Sequence, residues 1–253
     1  MDFFKLQASG NDFVAIRWED LIQLGRPEEV ARRVSRRHLS VGADGLISPA
    51  PDKDYPFRFL YINYLGKEVP FCGHAGRALP YYARILGLAK GPEITYMSPI
   101  GPKKAIILQE ENWKALVGMD MGGFQITKLD RGYVVDVGVQ HFVMEVKDID
   151  TYPLRDEALR FFEKHPGIHF NVFEAVRHGK IKVRTWEYGY PEEPLSCATG
   201  SLSAAIAYSH LTGKKEVEVI PLSNEPLFVE IRNGSAFFSG WVKAVYKGQL
   251  LEF

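Results

Sequence analysis

Apolar and polar positions alternate through 133–137, 181–186 and 216–220, each rich in β-branched residues, and predict half-buried strands. Asn233-Gly234 lies between two further strand-like runs, 227–231 and 236–242. It predicts a tight hairpin, because both turn positions need positive φ. Glu110-Glu111-Asn112 predicts a second hairpin, between 104–108 and 114–117. Helical patterns cover 27–37, 73–86, 155–164 and 198–211. Pro80 falls inside the second of these and predicts a kink there, since its ring and missing N–H disturb the preceding turn. Strands and helices interleave along the whole chain, which fits two strand-rich α/β units.

At 253 residues the chain has room for one large or two small domains. It is 46% hydrophobic and 25% charged, which excludes disorder and fibrous repeats. Lys plus Arg and Asp plus Glu both number 31, so the basic excess of a nucleic-acid binder is absent. The N-terminus carries an acid at position 2 and no apolar run follows, unlike a signal peptide. The longest stretch free of Asp, Glu, Lys and Arg, 194–213, holds too many Ser and Thr to span a membrane. A cytoplasmic protein with no membrane or nucleic-acid partner is expected.

Two cysteines, Cys72 and Cys197, lie 125 residues apart in similar settings: a polar turn, the Cys, small residues, then a helical pattern. Gly10-Asn11-Asp12-Phe13-Val14 is echoed by Gly138-Val139-Gln140-His141-Phe142-Val143 at nearly the same offset, which suggests an internal duplication. A cysteine at a helix start lies near unpaired N–H groups and the positive end of the helix dipole, which favour thiolate. The N–H groups that follow, at Gly73-His74 and Ala198-Thr199, form an anion site suited to a carboxylate. Two such thiols facing one carboxylate-bearing carbon can remove a proton from one face and deliver another to the opposite face. The plainer alternative is a pair of small buried hydrophobes. A structural disulfide is not expected in a chain without a secretion signal.

Other candidates are weaker. Arg32, Arg33, Arg36, Arg37 and His38 read as a solvated helix face. His165 and His169 have ligand-like spacing, but Pro166-Gly167 breaks the helix that would align them, so no metal site is expected. No strand–GxGxxG–helix fingerprint supports nucleotide binding, and no lysine stands out for a pyridoxal Schiff base.

Five segments, in order and covering nearly the whole chain, resemble the diaminopimelate epimerase family. They are Phe4-Lys5 through Gly10-Asn11-Asp12-Phe13; Arg37-His38-Leu39-Ser40-Val41-Gly42-Ala43-Asp44-Gly45; Asn63-Tyr64-Leu65-Gly66-Lys67-Glu68-Val69 with Cys72-Gly73; Phe170-Asn171-Val172; and Trp186-Glu187-Tyr188-Gly189 leading to Cys197-Ala198-Thr199-Gly200. The superfamily also includes proline racemases and phenazine-biosynthesis isomerases.

The resemblance implies an α+β fold of two pseudo-symmetric domains, each a barrel-like sheet wrapped around a central helix, with the site in a cleft between them. The first domain would be 1–118 plus a C-terminal strand at about 244–253, and the second 119–243. It implies a cofactor-independent isomerase interconverting LL- and meso-diaminopimelate, with Cys72 and Cys197 as the two acid/base residues. Asn11 and the backbone of Gly73, His74, Ala198 and Thr199 would hold the carboxylate. Glu187 would receive the α-ammonium and assist Cys197, His141 would assist Cys72, and Asn63 and Asn171 would reach the substrate's distal end. Two departures affect that distal end. The family has Asn where this chain has Val139, and a carboxylate-binding Arg where it has Tyr188. His74 also replaces the usual Asn, closer to the proline-racemase and phenazine-isomerase pattern.

Three alternatives stay open: a racemase of another amino acid, a phenazine-type isomerase (disfavoured because both cysteines are present), and a non-catalytic amino-acid-binding or redox-responsive relative. Oligomeric state is open, a homodimer included.

Overall fold

Two runs of small and apolar residues become helices buried on every side, Gly73–Ile85 and Ala198–Thr212. A helix that is apolar all round must be enclosed by other elements. In the computed structural model, which describes residues 1–251, each is the central helix of one compact unit. The units are residues 1–119 with 241–251, and residues 120–240. Residues 252 and 253, the end of the expected C-terminal strand, lie outside the described residues.

The first unit runs β1 (Asp2–Ala8), β2 (Asn11–Ala15), α1 (Trp18–Leu24), α2 (Pro27–Val34), β3 (Gly45–Ala50), β4 (Arg58–Asn63), α3 (Gly73–Ile85), β5 (Glu93–Ser98), β6 (Gly101–Glu111) and β7 (Lys114–Gly123). β1/β2, β3/β4, β5/β6 and β6/β7 pair antiparallel; β2/β3 and β4/β5 pair parallel. The later part of the last strand, β15 (Ser235–Gln249), pairs antiparallel with β1 from Asp2↔Gln249 to Ala8↔Val242. The Ala244 N–H donates to the Trp113 carbonyl just before β7, completing an eight-stranded closed barrel around α3.

The second unit runs β8 (Gln125–Leu129), β9 (Gly132–Asp136), β10 (Gln140–Glu145), α4 (Leu154–Lys164), β11 (His169–Arg177), β12 (Lys180–Trp186), α5 (Ala198–Thr212), β13 (Glu216–Ile220), β14 (Leu227–Arg232) and the first part of β15. Its pairings repeat those of the first unit. β9/β10, β11/β12, β13/β14 and β14/β15 are antiparallel, while β10/β11 and β12/β13 are parallel. In each unit the buried helix enters between the fourth and fifth strands of this series. The fold is α+β, each unit a sheet wrapped around a helix.

The sheets are packed on both faces. Leu202, Ile206 and Tyr208 of α5 pack on Phe173, Val183, Val217, Val229 and Phe238 from inside. Leu154 and Ala158 of α4 cover Phe142, Phe170 and Val172 from outside. Each such Leu, Ile or Phe contributes about 1.5–3 kcal/mol on full burial.

α3 continues through Pro80 to Ile85. Pro80 offers no N–H to the Gly76 carbonyl, and the buried Tyr96 hydroxyl donates to that carbonyl instead, at 2.9 Å. Three expectations are corrected. The 27–37 helix stops at Val34, because the backbone reverses through His38 (φ 69) and Gly42 (φ 74). The hairpin between β6 and β7 turns at Asn112-Trp113, both with positive φ, rather than at 110–112. The run at 236–242 and the expected C-terminal strand are one strand, β15, which ends at Gln249 and leaves Leu250 and Leu251 outside it. The Asn233-Gly234 turn has φ 45 and φ 82, as its hairpin requires.

Candidate active site

Both cysteines are N-cap residues of the buried helices. Cys72 takes extended dihedrals (φ −142, ψ 127) ahead of α3, and Cys197 (φ −114, ψ 120) ahead of α5. The first N–H groups of a helix have no intrahelical partner. Neither helix carries an acid in its first turn to occupy them, so each start is an anion-favouring end. Gly73, His74, Ala198 and Thr199 are the residues that supply those groups.

In the first unit the Cys72 sulfur lies 3.8 Å from Asn11 Oδ1. The Asn11 amide donates to Asp44, which also accepts the Asp12 N–H, and Arg37 bridges Asp12 (2.7 Å) and Asp44 (2.9 Å). Lys5 pairs with Asp12 at 2.7 Å. Burial works against the Asp12 carboxylate, but Arg37 and Lys5 outweigh it and hold its pKa below the usual range. Burial, reinforced by the Asp12 charge, moves Asp44 upward. Beneath Cys72, His74 is 2% exposed and its Nδ1 accepts a hydrogen bond from Arg77 at 2.8 Å. Asn63, at the end of β4, uses Oδ1 to accept from the N–H groups of Leu65 and Lys67, closing its turn.

In the second unit Cys197 is buried. Its sulfur accepts the Gly200 N–H at 3.4 Å and lies 3.6 Å from Thr199 Oγ1. Burial pushes its thiol well above the ordinary value, and the Glu187 carboxylate, charged and hydrogen-bonded to it, pushes the same way. A protonated thiol donating to a carboxylate is a poised acid. Arg184 anchors the loop between them, with two bonds to Glu193 (2.8 and 2.7 Å) and further donation to the Ile149 and Tyr152 carbonyls.

Asn171 is fully buried with both ends of its amide committed. Nδ2 donates to His141 Nδ1 (3.0 Å) and the Phe142 carbonyl (2.9 Å), and Oδ1 accepts from Thr185 (2.8 Å). It builds the site rather than projecting from it. The Asn171 amide can only donate to His141, so the neutral ring carries its proton on Nε2. The neighbour that spacing in the sequence does not reveal is His169. Its ring lies 4.9 Å from that of His141, its Nδ1 accepts the Tyr188 N–H at 2.9 Å, and burial holds its pKa below the ordinary imidazole value against the opposing pull of Glu187. Tyr188 is 42% exposed and packs edge-on against Phe162. Val139 is exposed.

Burial lowers His141 to about 3, with His169 adding to the effect. The unfolded chain binds that proton near pH 6.5, whereas the folded chain resists it until about pH 3. Stability is therefore complete above about pH 6.5 and is lost as pH falls toward 3, by at most about 1.4 kcal/mol per pH unit per histidine. Urea midpoints from pH 7.5 to 4.5 should fall in the wild type and fall less steeply in His141→Gln. Equal slopes would show that His141 carries no such linkage.

No helix among the described residues is long and apolar enough to cross a membrane, and none of their His, Cys, Asp and Glu side chains cluster in threes as metal ligands would.

No protein-family model matches the chain. A diaminopimelate epimerase of Nitratiruptor is 31% identical, with 98% of this chain and 97% of that protein covered. Diaminopimelate epimerases of Aquifex aeolicus and Thermotoga maritima are 32% and 33% identical, covering 100% and 93% of this chain and 98% and 96% of theirs. Among solved structures, a Bacillus anthracis phenazine biosynthesis protein of the PhzF family superposes with a TM-score of 0.76 at 15% identity, covering 100% of this chain and 99% of that one. A probable proline racemase of Agrobacterium radiobacter gives 0.66 at 14% identity, covering 99% and 93%. These structures share the fold.

Proposed function

The chain belongs to the diaminopimelate epimerase family, and from that membership we propose that it inverts an amino-acid α-carbon by proton transfer between Cys72 and Cys197. It is an isomerase, diaminopimelate is the substrate the relatives' names favour, and the LL and meso forms are the pair it would interconvert. The observation that carries the reading is the matched placement of two cysteines, each capping the buried helix of a unit with the same strand order.

One cysteine is thiolate and its counterpart thiol. The thiolate takes the α-proton and becomes a thiol. The electron pair left on carbon delocalises into the carboxylate, whose growing charge is met by N–H groups at the starts of α3 and α5. The other cysteine then delivers its proton to the opposite face and becomes the thiolate. Glu187 receives the α-ammonium and polarises Cys197, and Asn11 steadies the carboxylate end. His141 and Asn171 act as a buried pair that fixes β10 against β11 beside the substrate.

A second reading, a racemase of a single-headed amino acid, draws on Asn171 and Tyr188. The Asn171 amide is spent within its own unit, and Tyr188 offers no positive charge to a distal carboxylate.

Proton NMR in D₂O under reducing conditions separates the two. Deuterium entering diaminopimelate with inversion supports the first reading. Exchange confined to lysine, proline or another single-headed amino acid supports the second. Exchange into none of them rejects both.

A further inference from the structure

Arg77 is completely buried, the largest such side chain described, one turn into α3 from Cys72. Arginine is almost never fully buried unless something inside needs its charge. Its guanidinium donates to Ser9 Oγ at 3.3 Å and to His74 Nδ1 at 2.8 Å. Those two residues flank Cys72. Ser9 leads through Gly10 into Asn11, whose Oδ1 lies 3.8 Å from the sulfur, and His74 is two residues beyond it on the helix. Ser9 takes a positive φ (55) to bring its hydroxyl there, a conformation that serine rarely adopts. Arg77 thus ties together both chain segments that frame the thiol while bringing a full positive charge beneath it.

We propose that Arg77 is a positioning residue for the proton-transfer step, its buried guanidinium holding the Cys72 sulfur as thiolate and leaving the transferable proton of the resting protein on Cys197. This rests on the two-cysteine reading above.

The rest of the electrostatics agrees. Burial lowers Arg77 to about 9, and the charge that opposes this is Cys72. Cys197, buried beside Glu187, has the opposite environment and keeps its proton. Facing α3 from β5, Tyr96 is raised well above its ordinary value, by burial and by the Cys72 charge, and stays neutral. On β1 and β2, Lys5 and Asp12 are paired, and Arg37 joins Asp12 to Asp44. On β6, Glu110 pairs with Arg84 near the far end of the helix. The contact that favours a Cys72 thiol is the 3.8 Å approach to Asn11 Oδ1, a long hydrogen bond from a weak donor. A buried full charge outweighs it. Because Arg77 can only donate, neutral His74 carries its proton on Nε2 and adds no charge.

The test is the pH profile of iodoacetamide alkylation in the whole reduced protein, read separately for the Cys72 and Cys197 peptides by mass spectrometry. Wild-type Cys72 should inflect clearly below the ordinary thiol value of about 8.5, and Cys197 above it. Arg77→Gln should move the Cys72 inflection up by about one unit, slowing its alkylation at pH 7 about tenfold, with the Cys197 profile unmoved. Arg77→Lys, which keeps the charge, should restore most of the wild-type profile. If Arg77→Gln does not fold, the wild type and Arg77→Lys still decide the matter. A wild-type Cys72 inflection at or above about 8.5 overturns the proposal. So does an unshifted Arg77→Gln profile, or an Arg77→Lys profile displaced by a full unit. A low Cys72 inflection that Arg77→Gln raises, with no α-proton exchange in any amino acid, would overturn the epimerase reading and with it Arg77's part in proton transfer, leaving only its hold on the thiolate.

Discussion

Cys72→Ala and Cys197→Ala are each expected to lower the rate of α-carbon inversion by about 10²- to 10⁴-fold, the usual contribution of a positioned acid or base. The stereochemistry discriminates more sharply than the rate. With one thiol gone, the remaining cysteine can still take the α-proton from its own face and return a solvent-derived one to the same face. Each variant should therefore wash deuterium into one isomer with retention and leave the mirror configuration untouched, and the two variants should choose opposite isomers. Chiral chromatography combined with NMR in D₂O reads both outcomes from one sample. Cys197→Ser is the useful companion, because a hydroxyl can still accept the Gly200 N–H that the sulfur accepts at 3.4 Å. It separates loss of the acid from loss of the cap. Wild-type inversion in either alanine variant would sink the two-thiol mechanism.

The parts of this molecule that were readable from sequence are those in which local chemistry and tertiary environment ask for the same residues. The α3 and α5 helices were visible as runs of small and apolar residues. Asn233-Gly234 was visible because few other pairs accept two positive φ values. β3 and β4 were not. Gly45–Ala50 is buried at every position and Arg58–Asn63 at all but the first, so neither shows the alternation of a strand with one wet face. α1 (Trp18–Leu24) is a short helix with one fully buried residue and no side-chain cap, too faint a signal to find by spacing.

The site divides in the same way. The cysteines stood out because a helix start is a local feature. Glu187 and Cys197 are ten positions apart, and the loop that brings them together is held by Arg184 bonding to Glu193, Ile149 and Tyr152. No single segment encodes that anchoring. His169 pairs with His165 only by spacing. Its structural partners, His141 and Tyr188, come from other segments, through the parallel β10/β11 register that places His141 opposite His169. Asn171 carried a polar side chain in a promising motif, but a polar residue in a doubly buried strand must spend its hydrogen bonds internally. Arg77 was legible as a residue and not as a role. Only the fold shows that this arginine, on a helix enclosed by strands, never reaches water.

Gly200→Ala joins the packing to the chemistry, and it is expected to cost about 2–4 kcal/mol of stability together with most of the activity. On an ordinary helix the change would be favourable by up to about 1 kcal/mol, since alanine is the better helix former. Here the added carbon would lie 2.5 Å from Asn171 Oδ1, 2.7 Å from Thr185 Oγ1 and 3.2 Å from Cys197 Cβ. The first two atoms are partners in one buried hydrogen bond, so neither can yield without leaving the other unsatisfied, a penalty of about 1–3 kcal/mol in itself. Overpacking adds a similar amount. If the helix start moves outward to make room, the Gly200 N–H leaves the Cys197 sulfur and the thiol loses its place beside Glu187. Gly123→Ala is the matching control. Its nearest heavy-atom neighbour would be an ordinary contact at 3.7 Å, so its urea midpoint should stay close to the wild type. A Gly200→Ala protein as stable as that control would mean that α5 does not lie as close to β11 and β12 as the buried Asn171–Thr185 pair requires. The inversion rate of the same variant, taken with its stability, then tells whether the Cys197 thiol is held by the backbone of α5 or by Glu187 alone.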